Sequence, residues 1–320
     1  MNNLLNYTLP AKSNTSVLLT VGIPKALTYY EYGKQWEDFF SMLGCGVVVS
    51  QATNRHILDA GVSICSNETC LPVKVMAGHV LSLDGKADVV FIPRYISTGQ
   101  NEITCPKICS LPDMIKLCLR QKTDVMEIAL DFKSGLEKTE ESLGPIAERL
   151  GLSMEQVRMA FLKAVKNRMS EDMEATSLEI SPEKPSIALL GHPYMINDSF
   201  LNMDIAVKLR RHGFEVLTPA SLDYVTKRAN AYPFANRQFY SVGLDNLGSA
   251  YTYADLPFLR GLIYITPFAC GIDSLVTEFI ERRLKYTGSA IPYMKLTVDE
   301  HTGEAGFDTR IEAFLDMLGA

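Results

Sequence analysis

The sequence has no basic run and no stretch in which Lys or Arg is interleaved with aromatic residues. It carries 31 Lys and Arg against 37 Asp and Glu, which gives a formal net charge of -6 at pH 7. Nucleic-acid binding requires a concentration of positive charge that can neutralise phosphates. The composition therefore excludes DNA and RNA as expected partners.

A secretory or membrane-spanning segment is also missing from the pattern. Residues 1–16 lack the cationic segment followed by an apolar segment that a signal peptide needs. Nowhere do about 18 uncharged apolar residues follow one another, as a membrane helix would require. We therefore expect a cytoplasmic protein with no membrane partner. Its seven cysteines, an odd number, are expected to be thiols, because a reducing compartment disfavours structural disulfides.

Several motifs of nucleotide-binding and hydrolytic enzymes are absent. The chain has no Gly-x4-Gly-Lys-Ser/Thr phosphate loop and no Gly-x-Gly-x-x-Gly after its first apolar run. It also has no Gly-x-Ser-x-Gly and no His-Glu-x-x-His. ATP hydrolysis by this chain is therefore not supported.

The residues that are present indicate an α/β protein. The 320 residues, 47% of them hydrophobic and 21% charged, have the composition of an ordinary globule and suffice for two domains. Ser16 to Gly22 and Ser186 to Gly191 are apolar runs typical of strands in a parallel sheet. A helical stripe and a further apolar run follow each one. The pattern predicts two Rossmann-like lobes whose parallel sheets face a shared cleft.

The two apolar units match each other at a fixed offset of 169 residues. Within the match, Gly22, Pro24 and Gly44 align with Gly191, Pro193 and Gly213. Glycine recurs at strand and helix ends for backbone reasons, so both a duplication and two unrelated units of one class remain open.

The predicted domains are a first lobe over residues 1–135, a helical connector over 136–184 and a second lobe over 185–320. Leu111 to Glu179 is polar and helix-forming, and we expect it to pack on the first lobe. Asp308 to Leu318 is expected to form a C-terminal amphipathic helix.

Cysteines occur in three blocks, which contain Cys65 with Cys70, Cys105 with Cys109, and Cys270. Pro follows Cys105 directly and lies two residues after Cys70, while Gly follows Cys270. Pro and Gly residues so close to the cysteines are typical of tight loops. Iron-sulfur clusters need three or four thiolates from loops that converge. The spacing alone leaves two explanations open, incidental or core thiols and a metal site.

The block around Cys270 also has helix signals. A helix is expected to begin near Leu275, with Asp273 or Ser274 as its cap. The partial positive charge of a helix N-terminus would favour a thiolate at Cys270.

Other candidates have more ordinary explanations. Cys45, between two glycines, is expected to be a small buried hydrophobe, and Cys118 is expected to fill space on a helix. His79 and His192 are interpreted as structural. The acidic segment 299–304 is interpreted as a solvated loop in preference to a metal site.

Four motifs resemble a known family. They are CLPVK at 70–74, CPK at 105–107, FACGIDS at 268–274 and DEHTGEAG at 299–306. Together with GIPKALTYYEYGKQWEDFF at 22–40 they resemble the proteins related to 2-hydroxyacyl-CoA dehydratase and to its activator, often called CoA-substrate-specific enzyme activase-related. The resemblance spans nearly the whole chain, and the chain is similar to the short stand-alone branch.

The resemblance implies a set of cofactor ligands. One cysteine from each block is expected to hold a [4Fe-4S] cluster, and carried over these are Cys70, Cys105 and Cys270. Three ligands for four irons leave one iron open. Asp273 and Ser274 are the expected neighbours of the ligands, and whether Cys65 or Cys109 joins the site stays open. Some relatives hold a double-cubane cluster with six cysteines, which is less expected here because Cys45 and Cys118 look unlike ligands.

The resemblance also implies a function. We expect a redox protein that receives low-potential electrons from an ATP-dependent activator with its own cluster and reduces a small substrate at the open iron. One alternative is a 2-hydroxyacyl-CoA dehydratase component that acts on a CoA thioester. Another is a non-catalytic electron-relay subunit. The related dehydratases have two different subunits, which leaves a dimer open.

Overall fold

The computed structural model describes residues 17–119, 123–176, 184–232 and 240–319. The strands are β1 (Thr20–Ile23), β2 (Gly46–Val49), β3 (Val89–Phe91), β4 (Arg94–Gly99), β5 (Glu102–Ile103), β6 (Val125–Met126), β7 (Ala129–Asp131), β8 (Ser186–Gly191), β9 (Glu215–Leu217), β10 (Leu259–Pro267) and β11 (Tyr293–Val298). The helices are α1 (Tyr29–Met42), α2 (Arg55–Ile64), α3 (Leu71–Ser82), α4 (Pro106–Cys109), α5 (Leu111–Cys118), α6 (Leu136–Glu141), α7 (Gly144–Leu150), α8 (Met154–Thr176), α9 (Pro193–Asn197), α10 (Ile205–Arg211), α11 (Tyr224–Ala231), α12 (Ser241–Ala254), α13 (Gly271–Tyr286) and α14 (Glu304–Leu318).

The first sheet has the strand order β2-β1-β3-β6, and its strands are parallel. Val21 in the central strand is fully buried and lies opposite Val47 on one side and Val89 on the other. The chain steps from β1 to β2 and then crosses back over β1 to reach β3. The strand order therefore reverses between β1 and β3, and helices cover the sheet as expected for a parallel sheet.

The second sheet repeats this arrangement with the order β9-β8-β10-β11, again parallel. Ile263 in β10 lies opposite Leu189 of β8 and Met294 of β11. The order reverses between β8 and β10, and ligands of open parallel sheets bind beyond the carboxyl ends of the strands at such a reversal. The α/β prediction with parallel sheets is confirmed. The shared strand order is compatible with both explanations of the sequence match.

A third sheet, β5-β4-β7, was not expected from the sequence. It includes β7, and β6 lies just before it, so the stretch from Leu111 onward is not purely helical as predicted. Val125 and Met126 form strand because they pair with Val90 and Phe91 of the first sheet. This tertiary pairing overrides local propensity, as it commonly does for short strands.

The predicted connector packs on the first lobe through α8. Phe161 of this helix lies 6.2 Å, ring centroid to ring centroid, from both Trp36 and Phe39 of α1. All three side chains are buried. The packing prediction is confirmed, while the domain boundaries at 135 and 184 stay a prediction.

Helix α3 lies in a core that both lobes share. Every residue from Leu71 to Val80 is buried, and a helix that is buried all round must be surrounded by protein. The same hydrophobic cluster contains Val75 of α3, Ile187 of β8 and Phe314 of α14. The lobes are therefore joined by apolar packing, and the helix that begins after Cys70 stands at their junction.

The helix expected after β8 is broken into α9 and α10. Asp198 Oδ1 accepts hydrogen bonds from the backbone N–H groups of Phe200 (3.1 Å) and Leu201 (3.2 Å). Met203 and Asp204 have φ values of 51° and 56°, in the left-handed region that interrupts a helix. The prediction of one continuous helix there was wrong. The C-terminal helix is confirmed as α14, and it begins earlier than expected, at Glu304.

Buried ion pairs also join the lobes. Arg228 of α11 donates through Nε and Nη2 to the two carboxylate oxygens of Glu102 in β5, both at 2.6 Å. Lys74 of α3 pairs with Glu300 in the loop after β11. Among the described residues no helix has the length and apolar composition needed to cross a bilayer.

Candidate functional site

Cys70, Cys105 and Cys270 occupy equivalent local positions. Each is the residue directly before a helix, the N-cap of α3, α4 and α13 respectively. Proline stands in the first turn of α3 and α4, where a missing N–H costs nothing. The free N–H groups at the start of the longer helices α3 and α13 favour negative charge nearby. The prediction that these thiols lie on turns, off the faces of helices, is confirmed.

Tyr194 lies within the electrostatic range of all three cysteines. Burial raises the pKa of this tyrosine well above its usual value, and the charges of Cys270, Asp273, Cys70 and Cys105 raise it further. Four groups from three distant parts of the chain thus act on one phenol. Cys105 from the first lobe packs against the same second-lobe core as Cys270. Cys70, Cys105 and Cys270 thus share Tyr194 as an electrostatic neighbour. Their convergence on one point and their binding of a cluster stay predictions.

Cys70 is the most buried of the three and has a cationic neighbour. Burial raises the pKa of the Cys70 thiol, whereas Lys107 lowers it through its charge and a hydrogen bond. Lys107 belongs to the CPK motif, two residues after Cys105. One motif therefore supplies both a thiol and the positive charge that faces a second thiol.

His192 lies directly after β8, at the point where the strand order of the second sheet reverses. Its Nε2 is 3.2 Å from Asp273 Oδ1 and 3.6 Å from Cys270 Sγ. Burial disfavours the charged imidazolium, but Asp273 and Cys270 hold the pKa of His192 well above its usual value. A positive charge is thereby fixed beside the Cys270 sulfur. The interpretation of His192 as merely structural missed this contact.

Asp273 and Ser274 do not cap α13, so that prediction was wrong. The helix begins at Gly271 because Cys270 occupies the N-cap, and both residues fall inside the first turns. The fully buried Asp273 accepts hydrogen bonds from Tyr264 (2.7 Å) and Thr266 (2.8 Å). Ser274 Oγ donates to the carbonyl of Cys270 at 2.9 Å. Asp273 thus orients His192, while Ser274 contacts only the backbone of Cys270.

Within the described ranges, one group of side chains could hold a single metal ion. The ligand atoms of His192, Cys270 and Asp273 all lie within 4.8 Å of one another. Both oxygens of Asp273 already accept hydroxyl hydrogen bonds, and its Oδ1 also faces His192. These contacts favour its role as the partner of His192 over that of a metal ligand.

The acidic segment after β11 forms a turn. Asp299 Oδ1 accepts from the backbone of His301 (2.9 Å) and from Thr302 Oγ1 (2.7 Å). Glu300 pairs with Lys74. The side chains are thus engaged separately, and Glu300 is largely buried instead of solvated as predicted.

A small cavity of about 30 Å³ lies beside Cys105 and His192. In the described part of the chain, two buried polar atoms near it lack a hydrogen-bond partner, His192 Nδ1 and Thr98 Oγ1. Glu31 also lines the cavity, and its pKa is raised to about 7 by burial and by Asp245, against the opposing charge of His192. The cavity therefore combines unsatisfied polar groups with a carboxyl that titrates near neutral pH.

Sequence reasoning had not singled out Glu31, Tyr194 or Tyr264. The one usable signal was His192-Pro193 directly after an apolar strand, which places a side chain where parallel sheets bind ligands. The roles of the others depend on neighbours from distant segments.

The remaining cysteines lie in different surroundings. Cys45 is buried, as predicted. Cys109 ends α4 and is half-buried. Cys118, interpreted as helix filler, instead ends α5 and lies with its Sγ 3.8 Å from Cys65 Sγ.

A larger cleft of about 490 Å³ lies between the lobes. Thr53 and Arg55 line it from the first lobe, and Phe200, Asp204 and Glu304 are among the residues that line it from the second. Its acidic groups outnumber its cations. The volume is suitable for a small molecule, but the charge does not favour a phosphorylated one.

Comparison with known protein families identifies the family of the chain. The family described as the CoA enzyme activase uncharacterised domain matches residues 20–222, well over half of the chain. The chain belongs to this family. Within the CoA enzyme activase-type domain lie Cys70, Cys105 and His192, whereas Cys270 and Asp273 follow it. No curated protein matches the chain.

Proposed function

We propose that the chain is an iron-sulfur redox protein of acyl-CoA dehydratase systems, with Cys70, Cys105 and Cys270 as the ligands of a [4Fe-4S] cluster. The observation that carries the proposal is that three N-cap cysteines, from three loops and two lobes, all act electrostatically on Tyr194. The membership of the chain in the CoA enzyme activase-type family supports the assignment to such systems.

The donor set fits a cluster. Thiolates are the preferred ligands of iron-sulfur clusters, and three of them leave one iron open. A cluster with three thiolates is anionic, and its surroundings supply positive potential from the N-termini of α3 and α13, from Lys107 and from His192. The cluster, when bound, supplies one-electron chemistry and a coordination position for a small ligand.

The side chains around the cysteines have separate tasks. His192 faces the Cys270 sulfur, where a hydrogen-bond donor raises the reduction potential of a bound cluster. Asp273 holds the imidazole, and Tyr264 and Thr266 hold Asp273. Glu31, in the small cavity beside Cys105, is placed to give or take a proton close to neutral pH.

The test is anaerobic reconstitution with iron and sulfide, followed by an iron count and an absorbance spectrum near 400 nm. Cys70→Ser, Cys105→Ser and Cys270→Ser are expected to lose the cluster. Cys45→Ser, which removes a buried thiol elsewhere in the first lobe, is the matched control and should retain it. If the native chain binds no iron and sulfide, or if the control behaves like the three variants, the proposal is wrong.

A second candidate function is dehydration of a 2-hydroxyacyl-CoA by this chain, favoured by the CoA enzyme family match. It predicts turnover when an ATP-dependent activator, ATP and reductant are added. The acidic residues of the large cleft, Asp204 and Glu304 among them, do not complement the phosphates of CoA. We therefore expect the substrate to be smaller.

A relay role differs from catalysis in one measurable respect. A catalytic cluster with an open iron changes its electron paramagnetic resonance spectrum when a small molecule binds to it. Insensitivity of the spectrum to added thiols, cyanide and short-chain acids would favour the relay. A shift with any of them would favour reduction of a small substrate.

A further inference from the structure

We propose that Cys65 and Cys118 are a redox-active thiol pair that closes into a reversible disulfide. The pair is separate from the three candidate cluster ligands, and the proposal does not depend on cluster binding. It rests on the arrangement of two helix ends that the fold brings side by side.

The two sulfurs are already in contact. Cys65 Sγ lies 3.8 Å from Cys118 Sγ, although 53 residues separate them in the chain. A disulfide requires a separation of about 2.05 Å, so the sulfurs must approach by less than 2 Å. The thiol of Cys65 donates to the sulfur of Cys118.

Both cysteines stand where the backbone can adjust. Cys65 is the C-cap of α2, with an extended backbone at φ -95° and ψ 155°, and Cys118 is the last residue of α5. Helix ends fray more readily than helix interiors. Both side chains are half-buried, so a small oxidant can reach them.

The pair can form a disulfide with a single two-electron oxidant. Burial and the neighbouring Cys118 raise the pKa of Cys65 to about 12, so Cys65 remains a thiol. The bond forms when one sulfur is oxidised and the other attacks it. With hydrogen peroxide as the oxidant, two S–H bonds break and one S–S bond forms. The peroxide takes up two electrons and two protons and becomes two waters.

The position of the pair gives the bond a consequence. Cys65 lies five residues before Cys70, separated from it by a turn in which Thr69 N–H donates to the Ser66 carbonyl at 3.0 Å. Cys118 ends the helix that follows the block of Cys105. A disulfide would tie the chain just before one candidate ligand to the end of the helix that follows another. Thiol pairs of this kind in reducing compartments are usually transient and redox-sensing.

The test uses the full-length chain, reduced, desalted and then exposed to hydrogen peroxide. Nonreducing tryptic digestion and mass spectrometry should join peptide 56–74 to peptide 117–120, with fragmentation locating the bond at Cys65. Dithiothreitol should reverse it. A urea-unfolded sample treated in parallel shows which cysteines form disulfides when the fold does not hold them in position. The proposal is overturned if the folded sample shows the same mixture, or if Cys118 joins Cys70 or Cys109 instead.

Thermal unfolding gives a second, independent readout. Oxidation of the native chain should raise Tm by about 5 °C, since the bond closes a long loop. Cys65→Ser and Cys118→Ser should abolish this rise, while Cys109→Ser, which removes a half-buried thiol of the same lobe, should retain it. An unchanged Tm on oxidation, or a rise that survives in Cys118→Ser, contradicts the proposal.

Discussion

The phenol of Tyr30, on α1 of the first lobe, donates a 2.8 Å hydrogen bond to Asp198 Oδ2 in the second lobe. Asp198 is buried and also accepts from Thr53, so two side chains of one lobe converge on a single carboxylate of the other. The same carboxylate holds the break between α9 and α10 through its second oxygen. The contact therefore couples the lobe junction to the segment that follows His192.

Removing the Tyr30 hydroxyl is expected to weaken this junction. Tyr30→Phe should lower the free energy of unfolding by about 1 kcal/mol, because Asp198 loses one donor but retains Thr53. Urea unfolding at pH 7 measures the change. Tyr286→Phe removes a hydroxyl from an exposed side chain and should stay within about 0.5 kcal/mol of the native chain. A Tyr30→Phe variant as stable as this control would show that the bond contributes nothing.

His79 lies behind the lobe junction, and its hydrogen bonds to Ser50 and Thr53 fit the neutral form of the ring. Lys25 N–H donates to Ser50 Oγ, and Thr53 donates to Asp198. Thr53 must then accept from Nε2 of His79, at 2.9 Å, so Nε2 carries the proton of the neutral ring and Nδ1, 2.8 Å from Ser50 Oγ, accepts from that hydroxyl. A second proton on the ring would require the Ser50 hydroxyl to stop donating to Nδ1.

His79 should make the protein acid-sensitive. Burial, assisted by the charge of Lys25, lowers its pKa to about 4, whereas the unfolded chain takes up this proton near pH 6.5. The stabilising effect is thus present above pH 6.5 and is lost as the pH falls toward 4, by about 3 kcal/mol in total. Urea unfolding across this pH range should show that the free energy of unfolding falls less in His79→Gln than in the native chain. His301→Gln, which changes an exposed histidine, should keep the native slope.

Glu31 should show the opposite pH dependence. Burial and Asp245 raise its pKa to about 7 from an unfolded value near 4.5. The folded state therefore holds this proton more tightly, so stability is present below pH 4.5 and is lost as the pH rises through 7. Glu31→Gln is expected to be more stable than the native chain above pH 7, by about 3 kcal/mol, with the difference shrinking toward pH 4.5. A difference that does not vary with pH would contradict the assignment.

The close packing of α2 and α3 depends on glycine. A Cβ on Gly78 would lie 1.9 Å from the Ile57 carbonyl oxygen, and one on Gly61 would lie 1.8 Å from that of Lys74. Gly78→Ala should cost about 3 kcal/mol, because two backbones must separate. Gly306→Ala, in α14 with no atom within 4 Å of the added carbon, should instead stabilise by about 0.5 kcal/mol. Chemical unfolding should show that the free energy of unfolding falls in Gly78→Ala and rises in Gly306→Ala.

The strands and the cysteine positions were accessible from the sequence because their signals are local. An apolar run that ends in Gly or Pro predicts a buried parallel strand, and β1, β8 and β10 are such runs. Pro106 and Gly271 indicated tight turns at Cys105 and Cys270. Helices α4 and α13 begin directly after these cysteines, so α13 starts earlier than the predicted start near Leu275. The caps of α13 were misassigned because a cysteine is not among the usual N-cap residues.

What the sequence determined by itself was the α/β class, the apolar strands and the turns that carry the three candidate ligands. Only the tertiary structure decided which side chains share a neighbourhood. The ion pair of His192 with Asp273, the contact of Cys65 with Cys118 and the raised pKa of Glu31 each join residues that are distant in the chain. The physical reason is that burial and charge act through space, so their effects depend on how the two lobes pack around α3.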